Sequence, residues 1–176
     1  RYEFRVLVAP IATYNFQTLP EQPSISIVPG APKNWVAVVP STITCGEPFS
    51  LKIKVEDAWG NPTNKASTML AVKSSCPIEN LPELIEVKTG DFATEISGLI
   101  ANITGPLEIM LHTLDGSRVS VCNPAFVSDA PGLKSYWGDL HGQSEETLGT
   151  NSAADYFAFG RDRAFLDVCA HQGNDF

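Results

Sequence analysis

The chain has 176 residues, with 12 Lys plus Arg against 20 Asp plus Glu, a formal charge of −8 and 43% hydrophobic residues. That length holds one to one and a half domains at roughly 100–200 residues each, and that apolar fraction supports a packed core rather than a disordered chain. An acidic chain without a basic block is a poor partner for nucleic acid, and no apolar run approaches the roughly 20 residues that cross a bilayer.

The first residue is Arg1, and no signal-peptide pattern follows it. Phe4-Arg5-Val6-Leu7-Val8 is rich in apolar residues, and Pro20, Pro23, Pro29 and Pro32 then punctuate the chain. Proline removes a ladder donor and restricts the residue before it, so residues 1–33 read as an extended linker with short strands. The opening strand reads as a remnant of a preceding unit. At the other end, Asn174-Asp175-Phe176 follow an apolar run with no closing element. The chain therefore reads as an internal fragment of a longer protein.

Residues 34–128 carry a β signal. Phe49-Ser50-Leu51-Lys52-Ile53-Lys54-Val55-Glu56 alternates apolar and polar at every position. One face of such a strand is buried and the other wet. Gly60-Asn61-Pro62 supplies a turn directly after it. Leu107–Leu111 reads as another strand, and Asp115-Gly116 allows the positive φ of a tight hairpin before Val119 and Val121 return. Weaker strands are expected around Thr68–Lys73, Leu84–Lys88 and Thr94–Ile103. About seven short strands at this spacing, with no helical pattern among them, predict an Ig-like antiparallel β-sandwich.

Residues 129–176 change pattern after Pro131-Gly132. Tyr136–Gln143 reads as a strand. Ser152 and Asp155 have the spacing of a capping box, opening a helix to about Arg163. Phe165–Ala170 reads as a second strand. The order is β-α-β, the repeating unit of parallel α/β domains. One such unit cannot close a barrel.

Acidic residues concentrate here: residues 136–176 hold 7 acids but only Arg161 and Arg163 as bases. Cys45, Cys76, Cys122 and Cys169 lie far apart, with no C-x-x-C pair, so a structural zinc site is not indicated and free thiols are expected. A disulfide among the first three is left open. Ser144 has no neighbour in sequence that could activate it, and a G-x-S-x-G elbow is absent.

Two polar clusters carry the chemistry. On an extended strand Asp139, His141 and Gln143 share a face. His171, Asn174 and Asp175 follow the next strand. In a parallel β-α-β unit both strand ends lie on one edge, where sites of such folds form. A helix N-cap at Asn174 or Asp175 explains those two residues equally well.

Trp137-Gly138-Asp139-Leu140-His141, then Arg161-Asp162 and Phe165-Leu166-Asp167-Val168, resemble the opening of the PHP (polymerase and histidinol phosphatase) superfamily, most of all its DUF3604-like branch. Asp57-Ala58-Trp59-Gly60-Asn61-Pro62 and Asn123-Pro124-Ala125-Phe126-Val127 resemble the β-sandwich upstream of that branch. The resemblance implies that residues 129–176 begin a distorted β/α barrel, here an incomplete one, belonging to a metal-dependent hydrolase. It implies divalent metal ions (Zn, Mn or Fe) and a small-molecule substrate such as a phosphoester. The implied metal ligands are His141, Gln143 and His171, with Asp139 as a ligand or an orienting carboxylate, and Asn174 and Asp175 as alternates. The family's His-x-His motif stands here as His141-Gly142-Gln143. Its Thr-Asp-His motif falls on Gln172-Gly173-Asn174 without a gap, or brings in His171 after a shift of two. The competing reading is a non-catalytic Ig-like binding or adhesion module, since a fold alone does not define a function.

Overall fold

The computed structural model describes residues 2–11, 14–130 and 132–173. The described part of the proline-rich N-terminal stretch holds two small antiparallel ladders. Strand β1 (Tyr2–Glu3) pairs with β4 (Ser24–Ile25), and β2 (Leu7–Val8) with β3 (Gln17–Thr18). The Gln22 side chain closes this segment, accepting from Val6 N at 2.6 Å and donating to Leu19 O at 2.7 Å.

The rest is mainly β, in several sheets. One sheet joins β5 (Asn34–Val38), β7 (Pro48–Glu56), β11 (Thr94–Ala101) and β9 (Ile78–Glu79). A second joins β10 (Leu84–Val87), β8 (Thr68–Ser74), β13 (Ile109–His112) and β14 (Arg118–Val121). The inner faces of both sheets meet in one core, which includes Leu51, Ile53 and Val55 with Leu70, Ile85 and Leu111. The alternation read along β7 holds: Phe49, Leu51, Ile53 and Val55 are all buried.

Three features depart from the sequence reading. Leu107–Leu111 is not one strand. It divides into β12 (Gly105–Leu107) and β13, and Glu108 between them bonds Ser75, through Ser75 N to Glu108 O at 2.9 Å and Glu108 N to Ser75 Oγ at 3.0 Å. The chain thereby changes sheets, because β12 joins β15 (Ala125–Ser128) and β6 (Thr42–Thr44) instead. Second, β6 and β15 run parallel, against the all-antiparallel expectation. Third, the outer face of β7 is not simply wet. Phe165 from the C-terminal segment, itself only 7% exposed, lies on it with the Lys52 and Lys54 ammonium groups 5.7 and 5.4 Å from its ring centre. Both distances are within cation–π range. The hairpin at Asp115-Gly116 forms as expected, with Gly116 at φ 89° and Asp115 accepting from Ser117 N at 2.9 Å. All four cysteines are free thiols, and Cys122 is buried.

A carboxylate ties the N-terminal segment to this body. Asp57, at the end of β7, is 1% exposed. It accepts hydrogen bonds from Gly30 N (3.0 Å), Trp59 N (2.9 Å), Asn61 N (3.0 Å) and Asn61 Nδ2 (3.1 Å). Burial pushes its carboxyl up, but the donors at Gly30, Asn61 and Trp59 outweigh burial and hold it down at about 2. Gly30 is needed for the approach, because a Cβ there would stand 3.0 Å from Asp57 Cβ.

Two outcomes follow from this packing. Ile53→Ala removes a buried side chain and is expected to cost about 2–5 kcal/mol, read as a lower urea midpoint. Lys54→Ala, on the outer face, should cost clearly less, and equal losses would contradict the register. For Asp57, a carboxyl held below its unfolded value of about 3.9 stabilises the fold above that pH, and the stabilisation is lost as pH falls through the native value of about 2. Wild-type protein should therefore lose urea resistance between about pH 4 and pH 2 more steeply than Asp57→Asn. Parallel acid curves for the two would exclude the clamp.

Candidate functional site

The C-terminal segment forms the β-α-β unit. Strand β16 (Gly138–Gly142) leads to helix α1 (Ala153–Phe159), a π-helical turn over Gly160–Ala164, and β17 (Val168–His171). The two strands are parallel. Asp167 starts the pairing: its carboxylate accepts from Trp137 N at 2.9 Å and its own N–H donates to Trp137 O at 2.8 Å. Ser152 caps the helix as a full capping box with Asp155, as its spacing predicts. The π-turn ends at Phe165, whose φ of 62° lies in the left-handed region. A bulky residue there costs about 1–3 kcal/mol, which burying the ring on β7 offsets at about 1.5–3 kcal/mol.

Glycines let the helix reach the strands. A Cβ at Gly142 would collide with the Tyr156 phenol, and one at Gly160 with Cys169 Sγ. The Tyr156 hydroxyl lies 3.4 Å from Asp139 O and 3.3 Å from Ala170 O, bridging both strands from the helix side. Burial, reinforced by the neighbouring Asp139 and Cys169, raises the phenol above its ordinary range.

The pairing register shifts between Asp139 and Gly142: Asp139 faces Cys169, whereas Gly142 faces His171. Three steps on β16 match two on β17, a bulge that interrupts the alternation placing Asp139, His141 and Gln143 on one face. Asp139 Oδ1 accepts from His141 N at 2.9 Å, closing the bulge locally. His141 is exposed, and among the described residues its ring makes no hydrogen bond. Gln143 Oε1 accepts from Thr147 Oγ1 at 2.5 Å. Asn174 and Asp175 lie outside the described residues.

His171 meets Ser144 instead of His141. Its Nε2 stands 2.7 Å from Ser144 Oγ, so Ser144 does have an imidazole beside it, contrary to the reading from sequence neighbours. The Ser144 hydroxyl also donates a short hydrogen bond to Glu146 Oε2. Glu146 in turn accepts from Ala153 N, the first helical N–H, at 3.0 Å. The Ser144 hydroxyl first, then Ala153 N–H and its own N–H, hold the Glu146 carboxyl below its ordinary range against burial, and His171 adds to this. Tyr156 and Phe157 flank the imidazole, with ring centres 6.2 and 6.5 Å away.

This order of contacts defines what the trio can do. A hydroxyl has one proton, and here it goes to Glu146. With that proton on the Glu146 contact, the tautomer that completes the chain has His171 Nε2 donating to Ser144 Oγ, and in that arrangement it is not a base for the serine. Ser144 is also 0% exposed, out of reach of any electrophile. In a nucleophilic triad the acid orients the imidazole and the imidazole deprotonates the serine. The trio is therefore a linkage through a buried serine between the strand end, the helix start and His171. Nothing in the order Ser144-Glu145-Glu146 signals it, because the imidazole arrives from a residue 27 positions away.

The donors implied by the resemblance have the right chemistry for a divalent ion, but those among the described residues do not form a metal-holding group. Among the described residues no group of three or more His, Cys, Asp or Glu side chains is placed to hold a metal. Asp139, Gln143 and His171 each spend an atom on a contact within the chain. Among the described residues, no helix is long and apolar enough to cross a membrane.

No family model matches the chain. No curated protein matches it either. Among solved structures the chain is similar to a superoxide reductase (neelaredoxin) from Ignicoccus hospitalis, at 11% identity and a TM-score of 0.35, over 55% of this chain and 82% of that one.

The packing of helix on strands gives a direct test. Gly142→Ala should displace Tyr156 and lower hydrogen-exchange protection across Val168–His171, while Leu51–Val55 keeps its protection. Unchanged exchange in both stretches would mean that the phenol does not sit on Gly142.

Proposed function

We propose that this chain carries the opening β-α-β unit of a PHP-like, metal-dependent hydrolase, joined to an Ig-like sandwich as an accessory domain. The observation that supports the reading is the parallel pairing of β16 and β17, which brings His141 and His171 to one strand-end edge. Active sites of β/α folds form at that edge. The substrate would be a small molecule, a phosphoester by resemblance, and the ion Zn, Mn or Fe. His141 is the first ligand in this reading, because its exposed ring is uncommitted among the described residues. Asp139, Gln143 and His171 would have to exchange a present contact for the ion.

The test is metal content and phosphoester turnover of the full-length protein. Wild type is expected to purify with a divalent transition metal and to hydrolyse an aryl phosphate. His141→Ala should lose most of both while keeping the wild-type urea midpoint. Metal and activity that survive in His141→Ala would sink the site. A wild-type protein with neither would leave the Ig-like binding module as the better reading.

A further inference from the structure

A cavity of about 480 Å³ lies beside α1, between the helix and the loop that precedes it. It is the size of a small-molecule site, which spans roughly 300–1,000 Å³. Arg163 lines it. The guanidinium carbon stands over the Phe92 ring, 3.8 Å from its centre. A cation–π contact of this kind steadies the guanidinium and leaves its N–H groups for another partner. Among the described residues Arg163 makes no hydrogen bond and no ion pair.

Two carboxylates share the cavity wall, and both are engaged. Asp162 is gripped by Arg161, with Nε to Oδ1 at 2.6 Å and the second nitrogen to Oδ2 at 2.7 Å. Asp155 accepts the capping hydrogen bonds of Ser152, at 2.7 Å from Oγ and 3.3 Å from N. Their charges remain and oppose a bound anion, and Arg163 already acts on the neighbouring Asp162, so the wall tolerates one negative charge at most, beside the guanidinium. Phe159, 46% exposed, adds an apolar surface, and Thr150 and Asn151 add polar groups.

We propose that this cavity binds a small monoanionic molecule, its carboxylate or phosphodiester group taken by the Arg163 guanidinium and its apolar body lying along Phe159. Both groups present two oxygens to a guanidinium fork, the geometry that Arg recognises bidentately. The site requires neither a metal nor hydrolysis, so it goes beyond the functional reading above and stands or falls separately from His141.

The probes are benzoate and dimethyl phosphate, titrated into the whole chain by calorimetry and by NMR. Saturable binding of at least one is expected, and the tighter of the two identifies the head group. Arg163→Gln should weaken it at least tenfold. Arg163→Lys should fall between, because an ammonium keeps the charge but not the fork. Phe92→Leu, which keeps Arg163 and removes its platform, should weaken binding several-fold, and Lys73→Ala on the opposite sheet should change nothing. Should Arg163→Gln fail to fold by circular dichroism, Phe92→Leu and Arg163→Lys carry the test. Failure of both probes to saturate would overturn the proposal, and so would wild-type affinity in the Arg163 variants.

Discussion

Strand β7 carries two interfaces on one backbone, and the arrangement of the chain depends on both. Its inner face supplies Phe49, Leu51, Ile53 and Val55 to the core. Its outer face offers Lys52 and Lys54, whose ammonium groups lie over the Phe165 ring. A lysine stem covers apolar surface while its head stays near water, so a strand that alternates with Lys is not committed to facing solvent. Directly after the strand comes Asp57, which fastens Gly30. Core, C-terminal unit and N-terminal segment thus all converge on one nine-residue strand.

Much of this was legible in advance, and the reason is locality. A period of two over Phe49–Glu56, a capping box at Ser152 and Asp155, and Asp115-Gly116 in a hairpin are each decided by residues within a few positions. The misses are nonlocal. The break at Glu108 depends on Ser75, 33 residues earlier. The parallel pairing of β6 with β15 joins residues more than 80 positions apart. Phe165 reads as the start of a strand from its neighbours, yet takes a left-handed φ because its ring finds β7.

The candidate edge divides in the same way. That Asp139, His141, Gln143 and His171 belong to adjacent strand ends follows from the β-α-β order, and the parallel register of β16 and β17 has that form. Which side chains meet across the edge does not follow. The bulge after Asp139 shifts the register, and an alternation argument has no way to anticipate an extra residue. The resulting partner of His171 is Ser144, a residue whose sequence neighbours give it no chemistry. Buried hydroxyls seldom signal their partners, because any nearby donor or acceptor can satisfy them.

The Ser144 linkage also bears on how the edge could change. Glu146 Oε2 accepts from both the first N–H of α1 and the Ser144 hydroxyl, and Ser144 holds His171. Freeing His171 Nε2 for any ligand therefore takes one contact from a fully buried serine oxygen, which keeps Glu146 N as a donor at 3.3 Å. A lost hydrogen bond of this kind costs about 0.5–1.5 kcal/mol. An ion would have to supply at least that much, or enter through the other ring nitrogen. His141 carries no such penalty, since its exposed ring has no contact to give up among the described residues. The two histidines on this edge are thus unequal: one is available at once, and the other is tied through Ser144 and Glu146 to the start of the helix.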